Sequence, residues 1–439
     1  MDSISEQGLK MCHDHVVDAS NLLPQSRQLG DLVLPDNSVI GEGSNETIVL
    51  KGTLDTRPVT VKRISKKKNF DVAVKEISNL IASDHLTNIV QYYGAKEDTN
   101  FVYMAFECCV CSLHELVLPS TNDSTAQSKM KLEVLSNFKL RRPDGHPSLG
   151  LLKVMRDTVT GLAHLHKRRF IHLNLNPENV LIFKDDNSIS AKLSGSGSLG
   201  WQAPEQLCNK QITQAVDLFS FGCLLFFCIT GGQHPFVGNH KDLSLVKKIP
   251  EAFDLISNLL HSKPKFRPKA AVVYNHPLFW DSDMRLSFLQ DASAHVHSKV
   301  CKTNPVFWKS LESINTVVLD GENWDKKLHD DLVKDLENPK NHKNRKNHKK
   351  RKNPENKIYK YDSVRDLLRA IRNKRQHYDQ LSQELKVIIG KVPTDFENYF
   401  NSRFPKLLME VYKILKNHRG EGGDLLDKYY KQGLLSVLT

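Results

Sequence analysis

The chain has 439 residues, 39% of them hydrophobic, and a formal net charge of +12, so it is long enough for two or three compact domains with sizeable cores. Eight cysteines are too sparse for a disulfide framework and point to a reducing compartment, and the opening MDSISEQGLK is polar and acidic rather than signal-like. The longest apolar run, Leu218 to Thr230, falls well short of the roughly 20 residues of a membrane span and predicts a buried helix.

Residues 1–30 read as a polar N-terminal extension. From 31 to 112, short β-branched or aromatic runs such as ETIVLKG, RPVTVKRI and NFVYMAFE are separated by polar turns and predict strands. The order GEGSNETIV, VTVKRI, VAVKEISNL is more specific. A Gly-rich turn between two strands lets backbone amides approach phosphate, a lysine on the next strand reaches the α/β-phosphates, and an acid on the following helix orients that lysine. Gly41, Gly43, Lys62 and Glu76 take these places, with Glu46 where a third glycine is usual. Cys108 and Cys111 form a CxxC with no second pair at zinc spacing, so no metal site is expected and both read as small core residues.

In LLKVMRDTVTGLAHL (151–165), Leu152, Met155, Val159 and Leu162 fall at helical spacing and predict one buried face. IHLNLNPENV (171–180), GWQAPEQL, AVDLFSFGCLLFF and KFRP follow in that order. Together these segments resemble the eukaryotic protein kinases, with Glu205 in the A-P-E position, Asp217 on a buried central helix, and Arg267 placed to pair with Glu205. The resemblance implies ATP or ADP in a kinase-like cleft, contacted from Gly41, Gly43, Lys62, Glu76, Glu107, Cys109 and Asn179.

The same segments depart from the pattern where chemistry is done. A kinase carries H-R-D-x-x-x-x-N, whose Asp takes the substrate hydroxyl's proton and whose Asn holds magnesium. Here His172 and Asn179 keep the spacing, but Leu173 and Asn174 fill the Arg and Asp positions and Asn176 replaces the usual Lys. Only 25 residues separate Asn179 from Glu205, with no D-F-G and no room for an ordinary activation loop. Losing a preorganised charge costs about 10²- to 10³-fold per group. Protein kinase activity is therefore expected to be lost, and nucleotide binding to be weak or independent of magnesium.

After HPLFW (276–280) the patterning turns helical: DMRLSFLQDASAHV, NWDKKLHDDLVKDL, YDSVRDLLRAIRNKRQHYDQLSQELKVIIG and FENYFNSRFPKLLMEVYKILKNH. Ser363 and Asp366 read as a capping-box-like start, ahead of an apolar side carrying Leu367, Leu368 and Ile371. Asn373 and His377 are four apart and share a face, Arg372 lies one residue off it, and Tyr359 lies just upstream. These types suit one reaction. RNA is cut without metal when a base removes the 2′-hydroxyl proton, cationic and amide donors hold the phosphate's charge, and an acid protonates the leaving 5′-oxygen. Taken singly, the same residues also read as a surface histidine, a capping asparagine and an arginine on a basic helix.

A kinase-like domain followed by SVRDLLRAIRNKRQHY and FPKLL resembles, over about residues 31–415, the cytosolic half of inositol-requiring enzyme, the kinase and endoribonuclease of the unfolded-protein response. The details are closest to its plant form, and ribonuclease L is similar more distantly. The resemblance implies an α+β bilobal protein-kinase-like domain (31–280), an all-α kinase-extension nuclease domain (281–415) with a basic insertion at 338–357, and a C-terminal tail (416–439). It implies Tyr359 as general base, Arg372 and Asn373 as phosphate ligands and His377 as general acid. The implied activity is metal-independent cleavage of RNA stem-loops to 2′,3′-cyclic phosphate ends by a dimer, formed with itself or with a related stress sensor. The family's lumenal sensor and membrane span are not found, so the expectation is a cytoplasmic or nuclear protein without membrane contact.

Residues 340–357 carry nine basic residues and one acid, eight of the twelve net charges. The tract reads as a solvated insertion, an RNA-phosphate contact or a nuclear-import signal. Two rival functions stand beside the nuclease. One is a catalytically dead modulator that pairs with a full-length sensor, separable by cleavage of an RNA hairpin in EDTA. The other is a Ser/Thr kinase with residual ATP-dependent activity, decided by autophosphorylation.

Overall fold

The structure, a computed structural model, describes residues 26–36, 38–42, 47–67, 86–119, 129–185, 188–195, 200–208, 211–237, 243–298, 304–338, 358–418 and 426–431. Gly43, Glu46, Glu76 and the basic tract 340–357 lie outside them. The described chain divides into two compact units, one drawn from residues up to 78 and 91–108, the other from 79–90 and 109 onward.

The first unit is an antiparallel sheet whose neighbours run β1 (Arg27–Leu29), β2 (Leu32–Leu34), β4 (Ile48–Leu54), β5 (Arg57–Ser65), β7 (Phe101–Phe106) and β6 (Tyr92–Glu97), with β3 (Val39–Glu42) on β4. The hairpin from β4 into β5 (Arg57–Ser65) turns through Asp55 and Thr56, both at positive φ (45° and 68°), which matches the twist of the flanking strands. Alternation along β5 buries Val59 and Val61 against Leu32, Leu50 and Tyr103. Lys62 sits in register with Val49 on β4 and Met104 on β7 (Phe101–Phe106).

In the second unit β8, β9 (Val180–Asp185) and β10 (Ser188–Leu193) form a small sheet against two helices. The helix Leu149–Lys167 starts at Ser148, whose hydroxyl accepts from Leu151 N–H, and buries Met155, Val159 and Leu162; Leu152 is half-buried at the edge of the core. At Gly161 a Cβ would meet the Asn88 carbonyl at 2.6 Å, so the helix approaches that loop only because the side chain is missing. The apolar run predicted as a buried helix is Ala215–Thr230, buried along almost its whole length and stopped by Gly231 at φ 77°. Glu205 and Arg267 pair through two hydrogen bonds at 2.5 and 2.9 Å with the Arg267 side chain fully enclosed, as the A-P-E resemblance implied. Of the CxxC pair, Cys111 is buried and Cys108 exposed, so only Cys111 serves the core as expected.

The C-terminal helices belong to this same unit, and a buried arginine ties them to the kinase-like part. Arg285, on the helix Ser282–Val296, lies 2.8 Å from Glu251 on the helix Pro250–Leu259. It also donates to Glu397 at 2.6 Å and Asn401 at 2.9 Å on the helix Thr394–Arg403. Burial works against its charge, but the two carboxylates outweigh that and raise its pKa. Beside it Trp280, Phe288, Tyr412 and Tyr429 pack at ring distances of 5.1 to 6.0 Å. Tyr429 comes from the segment expected to be a tail, yet it is buried with Leu426 in the helical core and donates to Asp291.

Two long helical patterns are broken in the structure. The first becomes Val364–Gln376 and Gln383–Ile389, the second helix starting at Ser382, whose hydroxyl accepts from Leu385 N–H. The second becomes Thr394–Arg403 and Leu407–Asn417, interrupted where Pro405 takes Phe404 out of helical geometry. Among the described residues no helix is long and apolar enough to cross a membrane.

Candidate active site

The kinase-like loop around Leu173 and Asn174 is held by hydrogen bonds to its backbone. Asp217 accepts from the backbone N–H of His172 and Leu173 at 2.9 and 2.8 Å and from His166 at 2.8 Å. Leu173 stands at φ 67°, a strained conformation for a branched residue, held by that carboxylate. The Asn179 amide donates to the Asn174 carbonyl at 2.8 Å, and Asn176 Oδ1 accepts from Glu178 and Asn179 N–H at 2.9 and 3.0 Å. Asn174 holds a neutral amide where a carboxylate would take up a proton, so it supplies no base at working pH. Lys62 is buried on β5, and Glu107 accepts from the Gln91 N–H at 2.6 Å; Gly41 lies on β3, and Cys109 is half-buried.

Arg372 and Asn373 lie on the partly exposed side of the helix Val364–Gln376, which His377 caps. Its opposite face, Leu367, Leu368, Ala370 and Ile371, is wholly buried. Ser363 stands at the N-cap, but its side chain makes no capping hydrogen bond, which corrects the capping-box reading. The Asp366 carboxylate instead reaches back to the Lys360 N–H at 2.7 Å and meets Arg369 at 3.3 Å. Arg369 donates to the Ile358 carbonyl at 2.6 Å and lies 4.4 Å from the centre of the Tyr359 ring. This clasp draws the strand-like segment 358–360 onto the helix and presses the Tyr359 ring edge-on against Trp324, 6.0 Å away.

Tyr359 is almost fully buried, at 1% exposure, and its hydroxyl is the point on which the site converges. Asn373 Nδ2 donates to it at 3.0 Å. Arg372 is half-buried nearby; desolvation lowers its pKa from the ordinary value, and Tyr359 opposes that shift. The structure thus brings Tyr359, Arg372 and Asn373 together. His377 caps the helix one turn beyond Asn373, its backbone N–H bonded to the Asn373 carbonyl at 3.1 Å, with its ring exposed. The imidazole makes no hydrogen bond among the described residues, so its convergence on the phenol rests on position alone.

Three further residues border this cluster. Arg365, Arg369 and Arg372 recur at i, i+4 and i+7, a stripe visible in the sequence but passed over in favour of Arg372. Arg365 lies 4.7 Å from the Trp308 ring. His297, at the end of the helix Ser282–Val296, feels all three guanidiniums; burial first, then those charges, push its pKa down to about 4 against an opposing hydrogen bond with the Ser293 carbonyl. No short motif in the sequence links position 297 to this helix.

This architecture, a kinase-like fold continued into a helical domain with a phenol, an amide and a guanidinium close together, is that of a kinase-extension nuclease class. Family profiles agree with it: one described as protein kinase domain matches residues 35–279, and one described as ribonuclease 2-5A matches residues 285–430. Over about nine-tenths of its length the chain is similar to proteins whose names join both activities. It is 43% identical over 90% of its length to a serine/threonine-protein kinase/endoribonuclease IRE1b of Arabidopsis thaliana, of which the match covers 47%. It is 30% identical over 86% of its length to the sensor for unfolded proteins in the ER, ire1, of Schizosaccharomyces pombe, covering 37% of that protein. An Arabidopsis inactive serine/threonine-protein kinase/endoribonuclease IRE1-like protein is 34% identical over 88% of the chain, here with 76% of the relative covered. The chain belongs to the IRE1 family of kinase–endoribonuclease proteins, and it spans about half the length of the plant IRE1 relatives it matches.

Proposed function

We propose that this protein is an endoribonuclease that cuts RNA stem-loops without a metal ion, leaving 2′,3′-cyclic phosphate ends, while its kinase-like part serves as a scaffold. The observation that carries this reading is the Asn373 amide at 3.0 Å from the Tyr359 hydroxyl, with the Arg369 guanidinium over the same ring. An N–H donated to the phenol oxygen and cations beside it stabilise negative charge there, which a base needs when it gives up its proton before attack. Tyr359 takes the proton of the ribose 2′-hydroxyl, the 2′-oxygen bonds to phosphorus, and the bond from phosphorus to the 5′-oxygen breaks. Arg372 and Asn373 hold the charge that builds on the phosphoryl oxygens, and His377 supplies the proton to the departing 5′-oxygen.

The kinase-like part is proposed to hold ATP or ADP weakly, as a ligand rather than a substrate. Lys62 survives to meet a phosphate, but Asn174 cannot take a proton, and the Asn179 amide is already engaged within its own loop. The working unit is proposed to be a dimer, with itself or with a related stress sensor of the unfolded-protein response. One observation favours a second reading, a catalytically dead modulator: a relative whose name calls it inactive aligns over most of its own length.

The same assay separates the two. The full chain is incubated with an end-labelled RNA hairpin in EDTA beside His377→Asn, and the product ends are mapped. Cleavage to cyclic phosphate ends, reduced about 10²- to 10⁴-fold in the variant, is expected for loss of a general acid. Equal and negligible cleavage by both proteins would sink the nuclease and leave the modulator.

A further inference from the structure

Cations in a protein interior are normally paired, because a desolvated charge without a counter-charge is costly. The stripe Arg365, Arg369, Arg372 departs from this. Asp366 meets Arg369, but among the described residues neither Arg365 nor Arg372 has a carboxylate partner. The Nε of Arg365 and the Nε of Arg372 are both buried without a hydrogen-bond acceptor. His297 sits within the field of all three and stays neutral, so it adds no further positive charge, and its Nε2 is buried without a partner as well. An i, i+7 separation sets Arg365 and Arg372 about 10 Å apart along the helix axis.

Arg365 is not loosely placed. Its guanidinium lies 4.7 Å from the ring centre of Trp308, a half-buried residue of the helix Pro305–Ser313 packed on the nuclease core. Stacking on an indole fixes the plane of the cation and leaves its edge, with the N–H donors, directed past the ring. A planar fork of donors held in one orientation, partly stripped of water and lacking an anion, is what bidentate recognition of a phosphate requires.

We propose that Arg365, seated on Trp308 beside His297, binds the backbone phosphate of a nucleotide flanking the scissile one, so that the Arg365–Arg372 stripe sets the register of RNA across the catalytic residues. The inference rests on the nuclease reading for its position but not for its test. Arg365 acts on binding and register, whereas Arg372 and Asn373 act on the reacting phosphate.

The experiment measures binding of a labelled RNA hairpin carrying 2′-deoxyribose at the cut site, which cannot be cleaved, by fluorescence anisotropy over a series of salt concentrations. Full-length wild type, Arg365→Ala, Arg365→Lys and Trp308→Leu are compared. Arg365→Ala is expected to weaken binding about tenfold and to reduce the slope of log K against log salt by about 0.7 to 0.9, the loss of one phosphate contact. Arg365→Lys keeps the charge and is expected to recover the slope but not all of the affinity, and Trp308→Leu to weaken binding with the slope retained. With cleavable RNA the Arg365→Ala effect falls on KM rather than kcat. Unchanged affinity and slope in a folded Arg365→Ala protein would overturn the subsite. So would a loss of inorganic phosphate binding in that variant with RNA affinity unmoved. If wild type binds the hairpin in this way but cuts no RNA, the nuclease reading fails and the phosphate site stands.

Discussion

Arg369 is the residue through which the proposed base is positioned, and replacing it by methionine keeps the aliphatic stem while removing the cation. Three interactions go with the charge, of which the partly buried pair with Asp366 at 3.3 Å is the weakest. The stack on the Tyr359 ring at 4.4 Å is worth about 0.5–2 kcal/mol. The charged hydrogen bond to the Ile358 carbonyl at 2.6 Å is worth about 1.5–3 kcal/mol. Water recovers part of the second term, because the 358–360 segment lies at the edge of the fold, so a net loss of about 2 kcal/mol is expected at the phenol. If that loss appears in the cleavage barrier, the rate falls about 30-fold. The assay is single-turnover cleavage of a labelled RNA hairpin in EDTA at saturating protein, repeated across pH. Besides the lower rate, the limb of the profile set by ionisation of the base is expected to move to higher pH, since a cation beside the phenol has been removed. Arg369→Lys is expected to restore part of both effects. A folded Arg369→Met protein whose rate and pH profile stay within about twofold of wild type would refute the clasp.

Two further outcomes follow from the junction and from His297. Arg285→Met leaves the buried carboxylates of Glu251 and Glu397 without their shared partner and is expected to cost about 3–5 kcal/mol in urea unfolding, whereas a loss below about 0.5 kcal/mol would show the pair is not what joins the two parts. His297 titrates near 6.5 when unfolded and at about 4 in the fold, so between those values the unfolded chain holds more protons and stability falls as pH falls. The melting temperature of His297→Gln should therefore decline less steeply with acid than that of wild type, and identical slopes would show that His297 is not neutral in the fold.

Much of this arrangement was legible because it is local or because it repeats. The Leu149–Lys167 and Ala215–Thr230 helices follow from apolar spacing alone, and the Glu205–Arg267 pair from two motifs read together. Tyr359, Arg372, Asn373 and His377 were singled out through the family resemblance, and only the last three sit within one helix and its cap. The boundaries failed where a turn residue beat periodicity, as at Ser382 and Pro405. Asp366 misled for a different reason. A capping box is a pattern of residue types, but its carboxylate found a better donor in the Lys360 N–H, because the chain before the helix folds back instead of running on. His297 was invisible because its neighbours come from a helix almost seventy positions downstream, and only packing brings them together.

The carboxylate of Asp217 holds the kinase-like loop in which Asn174 stands at the position the resemblance gives to the catalytic Asp. It accepts three N–H donors, two from the backbone of the loop that once would have carried the chemistry, and so holds Leu173 at its strained φ of 67°. None of those bonds involves the side chain at 173 or 174. The catalytic positions could therefore change to Leu and Asn with little cost to the fold, whereas Asp217, Glu205 and Arg267 could not. That same lobe contains the helix Pro250–Leu259, whose Glu251 meets Arg285, and Arg285 in turn anchors the Thr394–Arg403 helix of the C-terminal part. The buried pairs Glu205–Arg267 and Glu251–Arg285 thus hold the lobe and its junction with the C-terminal helices without any part played by the side chains at 173 and 174.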